Sequence, residues 1–173
     1  MGQADQTIIR ARYQAFPRTL CFITHGDDVL LLRGAPDKTI WPDQYNGVGG
    51  HVKLNEDVRT AALREIQEET GLTVQDLRLR GVVNIPAKPE ENLGVLMFVF
   101  TARAESRDVR ASEEGMPEWV PRSEVYELEL VEDLPFLLPK VLAMAPDDPP
   151  FFGRYSYDED DRLEAAFSSR REP

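Results

Sequence analysis

The sequence predicts an α+β domain in which a mixed sheet carries packed helices. Three observations lead there. Apolar runs of strand length alternate with segments of helical period, in the order strands, helix, strands, helix, hairpin. Residues 57–70 place apolar side chains at helical spacing and are followed by Gly71, where a helix-ending glycine belongs. The chain has 173 residues, 42% hydrophobic and 29% charged, the size and balance of one domain with a real core. Residues 1–173 are therefore read as a single domain. Its start, residues 1–17, is expected to fray, and residues 146–173 are expected to form a C-terminal hairpin extension.

Each element has its own signal. Residues 20–24 and 29–33 are apolar runs parted by HGDD, which reads as a β-hairpin. GAPDKTIWPDQYNG is a loop by its Gly, Pro, Asp and Asn content. Residues 48–52 read as a short strand. The helix over 57–70 has Asn55 as its expected N-cap, with Glu56 and Asp57 near the positive end of the dipole. On a wheel, Ala62, Leu63, Ile66 and Thr70 form one stripe, and Glu65, Glu68 and Glu69 form another. Residues 77–85 and 93–104 read as longer strands joined by AKPEEN, and PEWVP continues the sheet with Trp119 partly buried. Residues 122–126 suit a short helix. Residues 134–144 suit a helix against the sheet, in which Pro139 predicts a kink or a break. FFGRYSYDEDDRLEAAF reads as strand, acidic turn, strand.

Composition narrows the partners. With 31 acidic and 20 basic side chains the formal net charge is -11, which argues against a nucleic-acid polymer as ligand. A small anionic substrate stays open, because a bound metal ion can reverse the sign of an acidic pocket. Cys21 is the sole cysteine, so no internal disulfide forms. No apolar run approaches the ~18 residues of a membrane helix, and MGQADQTIIR lacks a signal-peptide apolar region. The expectation is a cytoplasmic protein without a membrane partner. Monomer and homodimer both stay open, since the C-terminal hairpin can pair with a second subunit or complete its own sheet.

The chemistry lies in GGHVKLNEDVRTAALREIQEETGL, residues 49–72. Glu65, Glu68 and Glu69 are three and four residues apart, where like charges on a helix repel. A hard divalent cation such as Mg²⁺ would neutralise them, and a metal held this way serves phosphate chemistry. The glycines ahead of the helix permit close backbone approach. The stretch runs Gly50, five residues, Glu56, seven residues, Arg64-Glu65, Ile66, Gln67, Glu68-Glu69, Thr70, Gly71, Leu72. It resembles the Nudix box, G-x5-E-x7-R-E-U-x-E-E-x-G-U with U a bulky aliphatic, at every defined position. The alternative is a surface helix with a charged face.

The resemblance implies a Nudix-type α/β/α sandwich with a strand-loop-helix site. It further implies hydrolysis of a nucleoside diphosphate linked to another group, with Mg²⁺ as cofactor or Mn²⁺ in its place. Carried over by position, Glu65, Glu68 and Glu69 hold metal, helped by the Gly49 carbonyl. Arg64 and Glu56 orient helix and loop, and Gly50 belongs to the substrate side of that loop. Arg64 can equally be a charge-balancing neighbour of Glu65 and Glu68. The proton of the attacking water falls to Glu69 or Glu114, with Glu113 competing for the latter role.

Outside the box, WPDQYNGVGGH resembles the loop of MutT-like oxidised purine nucleoside triphosphatases. That places Asn46 at the purine edge, unless Asn46-Gly47 is simply a turn. VEDLPFLLPKVL places Asp133 at the base, with Glu132 one residue away as its rival and an acidic helix cap as the alternative. Arg33 matches a phosphate-contacting arginine or is a solvated strand end. The sequence departs from that branch at Leu130, near where the branch has a tryptophan against the base, and at His51, where a lysine is common. The expected substrate is a small-molecule nucleotide. It is read as a purine nucleoside triphosphate, oxidised or not, cleaved to monophosphate and pyrophosphate. ADP-ribose, a dinucleoside polyphosphate or another nucleotide conjugate is the enzymatic alternative, and nucleotide sensing without catalysis is the other.

Overall fold

Alternation along the first strand sets the layers. In the computed structural model, which describes residues 12–37 and 40–168, β1 spans Gln14–His25. Successive side chains of a strand point to opposite faces. Leu20 and Phe22 join one buried cluster, with Leu134, Leu137, Leu138 and Val141 of α2 (Leu134–Leu142). Cys21 and Ile23 join another, with Ala62 and Ile66 of α1 (Val58–Thr70). One helix therefore covers each face of the sheet, and the fold is an α/β/α sandwich.

The other strands are β2 (Asp28–Gly34), β3 (Tyr45–Asn46), β4 (Val74–Lys88), β5 (Leu93–Ala104), β6 (Gly115–Pro121), β7 (Phe151–Tyr157) and β8 (Leu163–Ser168). They form one mixed sheet in the order β3-β2-β1-β5-β4-β7-β8, with β6 paired to β2. The pairs β1–β5 and β4–β7 are parallel and the others antiparallel. The C-terminal hairpin completes the chain's own sheet, with β7 alongside β4 at Gly81↔Phe151.

Several expectations need correction. β1 begins at Gln14, so residues 14–17 belong to a strand and not to a frayed start, while residues 1–11 lie outside those described. Residues 48–52 are not a continuous strand. Isolated bridges tie Val48 to Cys21 and His51 to Arg18, and between them Gly49 turns to φ 155°, which breaks the ladder. The end of the predicted loop is instead a two-residue strand, with Asn46 opposite Leu32. Pro139 neither breaks nor ends α2. Its missing N–H removes only the bond to the first helical turn, and the helix stops at Leu142 rather than at residue 144.

Candidate active site

Asp57, not Asn55, caps α1. Its extended backbone leaves Oδ1 accepting from the N–H of Arg59 at 2.9 Å and of Thr60 at 3.0 Å. Gly71 closes the helix at φ 76°, its N–H bonded to the Gln67 carbonyl. The buried stripe is Ala61, Ala62, Ile66, Glu69 and Thr70. Leu63 is 37% exposed and leaves the stripe, whereas Glu69 is only 4% exposed and joins it. The three carboxylates thus do not share one environment.

Arg64 sits among them. Its Nε and Nη2 grip Glu56 at 3.0 and 2.6 Å, a bidentate pair. Its Nη1 reaches Glu65 at 2.8 Å and Glu68 at 2.9 Å, and Nη2 also donates to the His51 carbonyl at 3.1 Å. Glu56 in turn accepts from the N–H of Lys53 at 2.7 Å. The Arg64 hydrogen bond, and then that of Lys53, pull the Glu56 carboxyl down to about 2. The same bond to Glu56 raises the Arg64 pKa against the opposing effect of burial. One guanidinium therefore ties the loop ahead of the helix to two carboxylates on the helix.

The two loop glycines bring in the others. Gly49 donates its N–H to Glu69 Oε2 at 3.0 Å, and a Cβ there would overlap the Thr19 carbonyl oxygen. A Cβ on Gly50 would meet Glu65 Oε1 at 2.5 Å. Only glycine lets the loop lie against both carboxylates.

The loop opens into a cavity of about 1250 Å³. Glu65, Glu69, Glu114, Asn46 and Asp133 all line it. Glu68 does not; it is half exposed and turned to Arg64 and Lys53. Nor does Arg33, which pairs with Asp43 at 2.9 Å. Asn46 Oδ1 accepts from its neighbour Gly47 N–H at 2.8 Å, the local bond of an Asn-Gly turn, while the residue stays on the cavity wall.

Asp133 and Glu132 are separated by their partners. Glu132 accepts from the Leu163 N–H at 3.2 Å and so holds β8. Asp133 makes no side-chain cap for α2; its Oδ2 accepts from the Tyr155 hydroxyl at 3.4 Å, and burial pushes its carboxyl up to about 6. His51 Nε2 accepts from Arg18 Nε at 2.9 Å, and burial, then the Arg18 charge, lower its pKa. Its ring nitrogen faces a cation, and Arg18 and Lys53 are the basic side chains on the cavity wall. Leu130 packs with the α2-side core, and the aromatic groups lining the cavity are Trp41, Tyr155 and Tyr157. Arg18 and Trp41 escaped the sequence reading. Arg18 shares the Leu20–Phe22 face of β1, a signal visible once the strand is extended back past residue 20.

Comparison with known proteins decides the family. The NUDIX domain model matches residues 15–141. The chain belongs to the Nudix family. An uncharacterised Nudix hydrolase of Bacillus subtilis, YvcI, is 30% identical over 115 residues, 65% of this chain and 70% of that one. An oxidized purine nucleoside triphosphate hydrolase of Danio rerio is 32% identical over 101 residues, 58% of this chain and 63% of the relative. In three dimensions a mutator MutT protein from Bacillus halodurans superposes with a TM-score of 0.73 at 26% identity, covering 91% of this chain and 99% of that structure.

The Nudix helix carries donors suited to a hard divalent cation, since Glu65 and Glu69 present carboxylate oxygens to the cavity from either side of the glycine loop. Glu68 can join them by leaving Arg64. Among the described residues no three such groups stand close enough to hold a metal as they are. In this arrangement Arg64 supplies the positive charge the carboxylates require.

Proposed function

We propose that this Nudix hydrolase is a Mg²⁺-dependent pyrophosphohydrolase of purine nucleoside triphosphates, oxidised purines included, giving the monophosphate and pyrophosphate. One observation carries the reading. A single cavity gathers the Nudix carboxylates Glu65 and Glu69 with Glu114, and also the purine-reading candidates Asn46 and Asp133. The name of the Danio rerio relative supports the same substrate class.

Glu65, Glu68 and Glu69 would hold the metal, which when bound supplies positive charge to the phosphate oxygens and acidifies a water. The rest follows from the chain's own residues. Arg64 fixes the helix to the loop through Glu56, and the Gly49 N–H fixes Glu69. Glu69 or Glu114 accepts the proton of the attacking water. Arg18 lines the same cavity and can meet a phosphate oxygen. Asn46 can donate and accept at a purine edge by exchanging its bond to Gly47. Asp133 sits near neutrality, so it can offer the base an acceptor or, when protonated, a donor.

The test is a nucleotide panel with Mg²⁺ and product identification, containing 8-oxo-dGTP, dGTP, ADP-ribose and a dinucleoside polyphosphate. Pyrophosphate with a monophosphate from the triphosphates supports the reading. Two monophosphates from ADP-ribose, with the triphosphates inert, would replace it by hydrolysis of a conjugate. Tight binding without turnover of any nucleotide would replace it by sensing.

A further inference from the structure

The chain is strongly acidic overall, at -11, yet a second cavity of about 260 Å³ is lined by four arginines: Arg78, Arg80, Arg103 and Arg122. It shares no lining residue with the Nudix cavity. Sheet register builds it. Arg78 stands opposite Thr101 of β5, two residues before Arg103, and Arg80, at the bulge between Leu79 and Gly81, reaches the same Thr101 with its Nε. The end of α2 closes it with Val141 and Leu142.

Among the described residues, carboxylates pair directly with only two of these cations, although Asp148 and Asp147 also act on Arg80 through space. Asp76 is the acidic residue on the wall, and it pairs with Arg103 at 3.3 Å. Arg78 has Asp147 at 3.8 Å, on a fully exposed side chain. Arg80 and Arg122 form no ion pair among the described residues. Arg80 is the telling group because it is only 7% exposed. Buried guanidinium groups are normally paired with a charge. This one bonds only neutral acceptors: Nε to Thr101 Oγ1 at 2.6 Å, and Nη1 to the carbonyls of Ala145 at 2.8 Å and Pro146 at 3.4 Å. Its Nη2 has no hydrogen bond among the described residues. Burial, and then the Arg78 charge, lower its pKa, and the more distant charges of Asp148 and Asp147 offset this only in part.

We propose that this cavity binds a small phosphate-type oxyanion, inorganic phosphate or pyrophosphate, through Arg78, Arg80 and Arg122 with the Thr101 hydroxyl as a further donor. Guanidinium groups are the preferred partners of such anions. Thr101 Oγ1 accepts from Arg80, which leaves its own O–H to donate. The volume lies just under the roughly 300–1,000 Å³ of small-molecule sites, which favours the inorganic ion over a whole nucleotide. The site stands independently of what the Nudix cavity hydrolyses.

The test is a titration of the ¹⁵N-labelled full chain with phosphate, and separately with pyrophosphate, followed by NMR. EDTA is present so that no metal in the Nudix site captures the ion, and chloride at matched ionic strength is the control. Saturable shifts are expected at the amides of residues 78–80 and 101–103 and at Arg80 Nε. Either ion producing them supports the site, and the tighter one identifies the class of anion, a condensed phosphate or the single phosphate ion. Arg78→Gln and Arg122→Gln alter exposed side chains and should each weaken binding roughly tenfold, as for loss of one charge-assisted contact. Arg122→Gln should leave nucleotide turnover unchanged. Absence of saturable shifts at millimolar anion, shifts confined to Gly49 and Gly50, or unaltered affinity in the Arg78→Gln/Arg122→Gln double variant would each overturn the proposal.

Discussion

The two glycines of the Nudix loop should fail in different ways when each is changed to alanine. At Gly49 the added Cβ runs into the Thr19 carbonyl oxygen, a backbone atom of β1 that cannot step aside, and φ is 155°. Holding a residue other than glycine in such a conformation costs about 1–3 kcal/mol. Relief requires the loop to move off β1, which stretches the Thr19 N–H bond to the Gly50 carbonyl, 2.8 Å long, worth about 1 kcal/mol. For a domain of this size a loss of about 2–4 kcal/mol lowers Tm by roughly 4–16 °C. At Gly50 the obstruction is the Glu65 carboxylate at 2.5 Å, the far end of a flexible side chain, so a rotamer change relieves it. Gly50→Ala should therefore melt within a few degrees of wild type while losing turnover, because Glu65 is driven from its place at the loop. Gly49→Ala should lose both. Thermal melts read against hydrolysis of the best nucleotide check this. A Gly49→Ala protein that melts normally, or a Gly50→Ala protein with full turnover, would refute the assignment of the loop as the support for these carboxylates.

Three other outcomes follow from the same site. Glu69→Gln should lower kcat by about 10²- to 10⁴-fold with an unchanged circular dichroism spectrum, since glutamine keeps an acceptor for the Gly49 N–H; near-normal turnover would remove Glu69 from the mechanism. EDTA should abolish hydrolysis, and Mg²⁺ or Mn²⁺ should restore it; turnover that persists in EDTA contradicts a metal-dependent reaction. Asp133 titrates at about 6 in the fold, above the ordinary carboxylate range, because of burial. The folded state thus binds its proton more tightly than the unfolded chain does. The resulting stability is complete below about pH 4 and is lost as pH rises through 6, with a ceiling of about 3 kcal/mol. Urea unfolding at several pH values should show that loss in wild type and not in Asp133→Asn, and parallel profiles in the two proteins would refute the shift.

Much of this architecture could be read from the chain because local and tertiary signals agree. The Leu93–Ala104 strand, the α1 helix with its Gly71 cap and the C-terminal hairpin all appear where periodicity and turn residues put them. Failures occur where a tertiary contact overrides a local signal. Asn55 is a good N-cap residue, but Asp57 is the one whose carboxylate reaches the first free N–H groups. Charge groups Glu69 with Glu65 and Glu68, yet on a wheel it lies about 20° from Ala62, on the core side. The burial of a carboxylate is legible only once the Gly49 N–H is known to meet it. Arg18 could not be found from composition at all, because it becomes a site residue through the fold of the loop across β1.

The stacking of three carboxylates on one helix is resolved by dividing them. Glu69 turns inward and accepts from the Gly49 N–H, so a fixed backbone dipole is among its partners. Glu65 is pressed against Gly50 and shares the Arg64 guanidinium with Glu68, the most exposed of the three. Arg64 in turn is anchored from the other side by Glu56, so it is a permanent resident and not a mobile counter-ion. A cation entering beside Glu65 and Glu69 would therefore compete with Arg64 for Glu65 and Glu68 without displacing the arginine, whose bidentate bond to Glu56 persists. Glu68 would be the carboxylate able to change partners, because it combines a salt-screened position with a weak second contact to Lys53 at 3.8 Å. Arg64 thus does two things at once: it relieves the repulsion that would otherwise unsettle the helix, and it would keep the loop seated against the helix if one carboxylate left it to bind a cation.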